Sequence, residues 1–342
     1  MRKQSVIDMV NEHHRPPSLL LGFGNVGKEL VLLDDFWNMT EVLGILSSSG
    51  GVRTNGKERV EAIREAAKTS AKLSDLPFFQ KWLSLSDFID ELSGGVAFIT
   101  IPPSYYSGEP NISLVLNFLK NGISIITADK TPFALAYSKV IEASRSSKAF
   151  IGYRATVAAG TPFTDLAKGL RGRSITSIKS VLNATTNFLL SKVEEGKSWE
   201  ESLELARTEK LLEPDPRIDV EGIDSAVKLT IISNILGKGI SLWDVRRTPL
   251  FSVDEEVVRR ALKEGKRYKY IASYSFDGGN PTVSPQLIQK GNPLYDVRGN
   301  YNGILFELEG SEHIYLEGPA GPAWRTARVM ITDLIEMLYS PR

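Results

Sequence analysis

Among the ionisable side chains of residues 212–237, LEPDPRIDVEGIDSAVKLTIISNILG, five, Glu213, Asp215, Asp219, Asp224 and Lys228, stand out beside an almost wholly apolar run. Pro214 and Pro216 fix the approach as a turn, and from about Gly222 the periodicity is that of a helix stopping at Gly237. The four-residue spacing puts Asp224 and Lys228 on one face, continued by Ile231 and Ile235. A helix apolar on nearly every side is buried, and charges on it persist only when paired or when they meet a charged ligand. One reading is therefore an interior ion pair behind a capping loop. The other is a binding site, because several carboxylates for an ammonium and a lysine for oxygens are the complement of a zwitterionic amino acid.

A second constellation is GFGNVG, with Gly22, Gly24 and Gly27 separated by Phe23, Asn25 and Val26. A short apolar strand at 18–21 leads into it, an amphipathic helix at about 26–36 leaves it, and a second strand follows at 42–46. In that context Gly22 makes the turn, Gly24 admits a pyrophosphate, and Gly27 lets helix and strand approach. The phosphates then meet the helix N-terminus. An acid for a free ribose 2′-hydroxyl belongs at the end of the second strand, where this chain has Ser47, Ser48 and Ser49, followed by Arg53 and Lys57. Hydroxyls and cations suit a 2′-phosphate, so NADP is favoured, with NAD as the alternative and Ser48 and Arg53 as the expected contacts.

The rest of the chain must position these groups. At 342 residues two domains are expected. Its 41 basic side chains balance 41 acidic ones, which argues against nucleic acid, an anionic membrane or a polyanion and for a small-molecule partner. No apolar run approaches membrane-spanning length and residues 1–18 lack a signal-peptide core, so a cytoplasmic location is expected. Cysteine is absent, and two of the three histidines, His13 and His14, sit in a polar N-terminal extension, leaving His313. Acid and base work therefore falls to lysine and carboxylates.

Strands at 96–101 and 123–127 flank a helix at 105–120 and continue a parallel sheet, after a charged, helix-forming excursion at 54–92. Lys130 lies just past the second of these strands, ahead of a helix opened by Thr131 and Pro132, at the sheet edge where ligands bind. After a last strand at 149–153 the texture changes. A helix at 161–170, a strand at 177–182, helices to about 207 and strands at 268–276, 282–289 and 304–308 make an α+β second domain. The expected organisation is a Rossmann-type dinucleotide-binding domain at 1–155 (extension 1–17), a substrate and dimerisation domain at 156–318, and a loop and helix at 319–342 returning to the first domain.

With these motifs in view the chain resembles homoserine dehydrogenase from about residue 18 to 340. EPDPRIDVEGIDSAVK matches that family's acidic signature at every charged position, LNATTNFLL resembles its G-T-x-N segment, and TADKTPFA resembles its T-A-N-K-x-P segment. The terminal GPAGPAWRTA, which contains Gly321, resembles the loop that closes over the nicotinamide. The resemblance implies reversible hydride transfer between L-homoserine and L-aspartate 4-semialdehyde, toward threonine and methionine, by a homodimer formed through the second domain. It also implies roles. Lys228 is the proton donor, Lys130 a second lysine between substrate and cofactor, Glu213 the ammonium ligand, Asp219, Asp224 and Thr185 substrate contacts, and Thr100 a neighbour of the nicotinamide. Lack of a thiol excludes the acyl-phosphate-forming oxidation of the same semialdehyde.

Four features depart from the family. Arg154 stands where a glutamate helps hold a monovalent cation, so no metal is expected. Asp129 replaces an asparagine beside Lys130, Ala184 replaces a glycine, and GPAGP redistributes the loop glycines. A retuned amino-acid dehydrogenase and a cofactor-binding homologue without turnover are the alternatives.

Overall fold

The computed structural model describes residues 15–209, 211–212 and 215–339. It divides into two compact units, one of Met1–Ala159 with Pro322–Arg342 and one of Gly160–Gly321.

In the first unit, strands β1 (Pro17–Leu21), β2 (Glu41–Ser47), β3 (Gly50–Arg53), β4 (Val96–Ile99), β5 (Ser124–Thr127) and β6 (Ile151–Gly152) form one sheet in the order β3-β2-β1-β4-β5-β6. All neighbours are parallel except β3, which folds back antiparallel on β2. β4 (VAFI) and β5 (SIIT) are buried along their whole length, as strands covered on both faces must be. Helices α1 (Asn25–Leu32), α2 (Asp34–Met39), α3 (Lys57–Lys68), α4 (Asn111–Lys120), α5 (Thr131–Leu135) and α6 (Tyr137–Ser147) make the connections. The single helix expected over 26–36 is two. Leu33 is extended, and Asp34 and Asp35 begin a new first turn, where carboxylates are favoured. The helix expected from 105 starts instead at Asn111, behind Gly108 and Pro110.

The second unit carries β7 (Ile175–Val181), β8 (Arg246–Arg247), β9 (Lys266–Ser275), β10 (Thr282–Gln289), β11 (Tyr301–Leu308) and β12 (His313–Pro319), ordered β12-β11-β7-β9-β10-β8. It is antiparallel apart from the short β8–β10 pair. Its helices are α7 (Phe163–Gly169), α8 (Ala184–Glu194), α9 (Trp199–Thr208), α10 (Arg217–Val220), α11 (Ile223–Ile235) and α12 (Glu255–Lys263). This is the expected Rossmann-type unit with an α+β partner.

Buried polar contacts seat α8 against β9. Arg267 pairs with Glu194 at 2.7 Å and stacks its guanidinium over Tyr295, while burial holds the Glu194 carboxyl above its ordinary range. The Lys269 ammonium donates to Asn187 Oδ1 at 3.2 Å and to the Val297 carbonyl, and burial pulls its pKa down to about 8. The middle and far end of α8 are thus fixed, and with them the orientation of its N-terminus.

The last helix, α13 (Ala323–Tyr339), belongs to the first unit. Its apolar face, with Ala327, Met330, Ile331, Leu334 and Met337, joins Leu30 and Val31 of α1 in one core. Each large side chain so buried is worth about 1.5–3 kcal/mol. Arg154 adds a polar anchor: its guanidinium meets Asp333 at 2.6 Å and also Glu336, and its backbone N–H donates to Asp333 Oδ2 at 3.1 Å. The Asp333 side chain is 0 % exposed, so removing the guanidinium leaves a buried carboxylate short of its charge partner. Arg154→Met is expected to lower unfolding free energy by about 3–5 kcal/mol in denaturant titrations. A loss below about 1 kcal/mol would mean that other donors neutralise Asp333.

Candidate active site

In the first unit β1 runs straight into the glycine turn. The Gly22 N–H donates to Leu46 O at 2.8 Å, and the Thr100 hydroxyl donates to Gly22 O at 3.0 Å, so β2 and β4 clamp the turn from both sides. Gly22 has φ +104°, and a Cβ on Gly27 would collide with the Gly22 carbonyl and stand 2.9 Å from Thr100 Oγ1. A Cβ on Gly24 would meet nothing within 4 Å, which is the open approach a pyrophosphate needs. Gly24 and Asn25 are exposed at the start of α1, which has no side-chain cap, so its first N–H groups are available to an anion. Phe23 packs into the core with Val26 against it, leaving their backbone as what they offer.

The end of β2 differs from expectation. Residues 50–53 form the return strand of a hairpin whose tip is Ser48 and Ser49. Arg53 pairs with Gly44, three positions back from Ser47, or about 10 Å from the tip. Its guanidinium meets Glu91 at 2.9 Å and the Asp87 carbonyl at 2.8 Å and lies over the Phe88 ring. Hairpin register, invisible to residue counting, thus sets Arg53 back from the serine tip with its guanidinium engaged by Glu91 and the Asp87 carbonyl. Ser48 stays exposed at the tip.

Lys130 follows β5 at the C-terminal edge of the sheet and precedes α5. The neighbouring Asp129 is buried, its carboxylate accepting from Asn111 Nδ2 at 2.8 Å and from the Thr131 N–H at 2.9 Å. Burial raises its pKa above the ordinary value. The substitution beside Lys130 thus has a structural use, holding the entry to α5.

In the second unit the helix expected from about Gly222 to Gly237 forms as α11. Every residue of α11 except Lys228 is buried, and the helix closes through Gly237, whose N–H donates to Asn234 O while Lys238 N–H reaches Ser233 O. Lys228 Nζ stands 2.6 Å from Asp224 Oδ2, with side chains only 12 % and 9 % exposed. The same ammonium donates to Leu182 O at 2.7 Å. Asn183 Nδ2 donates to Asp224 Oδ2 at 3.0 Å and to Asp219 Oδ1 at 2.6 Å. Its Oδ1 accepts the Thr186 N–H at 2.8 Å and caps α8. The turn between β7 and α8 therefore supplies an acceptor to the lysine and one amide donor to both acids.

Thr185 donates its hydroxyl to Leu211 O at 3.0 Å, tying α8 to the segment that leads into the acidic turn. Ala184 takes an ordinary helical first position, so its methyl adds no backbone strain. Asp215 stands apart, ion-paired at 2.8 Å to Arg217, whose hydrogen bonds hold its carboxyl below the usual range. Glu213 lies outside the described residues. Gly321 sits in the loop between β12 and α13.

Comparison with known proteins bears on this arrangement. A sequence profile described as homoserine dehydrogenase matches residues 163–335. The homoserine dehydrogenase of Methanocaldococcus jannaschii is 31 % identical over 336 residues, covering 95 % of this chain and 99 % of that protein. The chain belongs to the homoserine dehydrogenase family. The enzyme of Sulfurisphaera tokodaii is likewise 31 % identical over 333 residues, covering 93 % and 97 %. Among solved structures, a hyperthermophilic archaeal homoserine dehydrogenase mutant in complex with NADPH superposes with a TM-score of 0.80 at 27 % identity, covering 96 % of this chain and 99 % of that one.

For a homoserine dehydrogenase relative read from sequence, Asn183 and the Leu182 carbonyl are the groups that were missed. The pattern Asn-x-x-Thr ahead of an apolar helix signals an N-cap acceptor but says nothing of the amide on the other side of the same side chain.

Proposed function

We propose that the chain catalyses reversible hydride transfer between L-homoserine and L-aspartate 4-semialdehyde with NADP, NAD being the weaker cofactor. The carrying observation is the buried Lys228–Asp224–Asn183–Asp219 cluster, which has an ammonium donor and two carboxylates fixed in one place. Residues 22–27, Ser48 and Thr100 belong to dinucleotide binding on this reading, with Gly321 from the closing loop. A dinucleotide held by these residues would supply the hydride acceptor and donor chemistry of its nicotinamide.

Lys228 handles the proton. Two of its N–H bonds point at Asp224 and Leu182 O, and the third has no acceptor among the described residues. That N–H gives a proton to the carbonyl oxygen in reduction, and the neutral amine takes it back from the hydroxyl in oxidation. Asp219, Asp224, Thr185 and Glu213 hold the amino-acid end, and Lys130 serves as a second lysine at its sheet edge. Arg154 supplies positive charge through its side chain, so no metal is assigned there. A cytoplasmic homodimer formed through the second unit completes the reading. Its support is the family membership and the lack, among the described residues, of a helix long and apolar enough to cross a membrane.

The carboxylates give the test. L-Homoserine is expected to exceed 4-hydroxybutanoate, which lacks the ammonium, by about 10⁴-fold in kcat/KM, the discrimination reached when buried polar groups lose their partner. Equal use of the two would mean that the acids serve no substrate ammonium.

A further inference from the structure

The displacement of Arg53 leaves the tip of the β2–β3 hairpin without its expected cation, and the fold brings another from elsewhere in the sequence. Gly51 exchanges both backbone hydrogen bonds with Gln80, Gly51 N–H to Gln80 O at 3.0 Å and Gln80 N–H to Gly51 O at 2.9 Å. Residues 80–83 then turn, with Leu83 N–H donating to Gln80 O at 3.2 Å, so Lys81 and Trp82 occupy the two corners. Both are exposed, Trp82 at 72 %. Gly50 is where the turn and the hairpin touch: with φ +136°, a Cβ there would collide with the Gln80 carbonyl and stand 2.7 Å from Lys81 Cα. The glycine pair next to the serines is thus the surface on which the Lys81 turn seats.

We infer that Lys81 is the side chain that reads the 2′-phosphate of the dinucleotide, in the role that Arg53 does not fill. The inference rests on the reading above, that the glycine turn holds a dinucleotide and that its adenosine ribose lies at the end of β2. Three observations meet there. Ser47 donates its hydroxyl to Gly50 O at 3.0 Å and lies 3.2 Å from Ser49 Oγ, which shapes the tip, while Ser48 stays exposed on it. No carboxylate occupies residues 47–53, so none of these residues repels a phosphate. Lys81 makes no ion pair among the described residues, whereas Arg53 is held by Glu91 and the Asp87 carbonyl. A flexible, exposed ammonium beside hydroxyls is the chemistry of a phosphate contact made as a point charge.

The test uses the full chain and isothermal titration with 2′,5′-ADP and with 5′-AMP, together with NADP and NAD. Lys81→Ala is expected to weaken 2′,5′-ADP and NADP by roughly tenfold or more, leave 5′-AMP and NAD unchanged, and be rescued by Lys81→Arg. Arg53→Ala is expected to leave the preference for the 2′-phosphate intact. Loss of that preference in Arg53→Ala with none in Lys81→Ala overturns the inference alone, as does wild-type binding of NAD that the 2′-phosphate does not improve. Failure of the wild type to bind either dinucleotide overturns the dinucleotide reading itself and removes the inference with it.

Discussion

Lys228→Met is expected to lower turnover of L-homoserine by about 10²- to 10⁴-fold, the range for loss of a general acid or base, while dinucleotide affinity stays at the wild-type value. Methionine keeps much of the apolar stem and deletes the ammonium that Asp224 and Leu182 O hold in place. A stability cost accompanies this. A carboxylate stranded in a buried pair costs about 3–5 kcal/mol, and the low end applies because Asn183 Nδ2 still donates to Asp224. The interior-ion-pair reading makes the same stability prediction, so melting temperature alone cannot decide. Turnover per folded molecule decides: a near wild-type value in Lys228→Met would return the whole cluster to a structural role.

Asn183→Asp is expected to lower kcat by about 10- to 100-fold near neutral pH, the worth of hydrogen bonds to charged groups. The carboxylate still caps Thr186 N–H, so α8 keeps its start, but the donor that bridged Asp219 and Asp224 becomes a third acceptor. Three carboxyls sharing one site hold a proton above the usual carboxylate range. The variant is therefore expected to keep most activity at acidic pH, where that proton restores a donor, and to lose it as pH rises. Asn183→Ala, which lacks any donor, is expected to lose activity evenly across pH. Parallel pH–kcat profiles for the two variants would show that the amide only packs.

What the sequence made legible was local. The four-residue spacing of Asp224 and Lys228 is a property of one helix, and the structure places them 2.6 Å apart on it. The glycine turn was equally readable, because strand, turn and helix are consecutive. Contacts across the fold were not. Arg53 is four residues past the last of the serines in sequence, yet antiparallel return carries it to the far end of the hairpin. Lys81 is thirty-odd residues past them and is seated beside Gly50 by one β-bridge. Asn183 serves two acids from helices α10 and α11, which no periodicity in its own segment encodes. The helix α12 and strand β12 went unread, the first for its short apolar pattern and the second because HIYLEGP mixes charge, glycine and proline.

Arg154 illustrates the same limit in the opposite direction. Its identity was legible as a departure from the family, and its partners, Asp333 and Glu336, lie some 180 residues away on the last helix. Sequence reading supplied the charge that was changed; only the fold supplies the carboxylates that answer it.

The central claim is that this chain moves a hydride from the alcohol carbon of L-homoserine while Lys228 manages the proton. L-Homoserine bearing deuterium on that carbon, oxidised with NADP by the wild-type chain, tests it most directly, with the reduced dinucleotide read by mass spectrometry. Deuterium is expected on the nicotinamide ring of the wild-type product, with the same label formed at a far lower rate by Lys228→Met. Reduced dinucleotide carrying no deuterium, or none formed from L-homoserine at all, would contradict it.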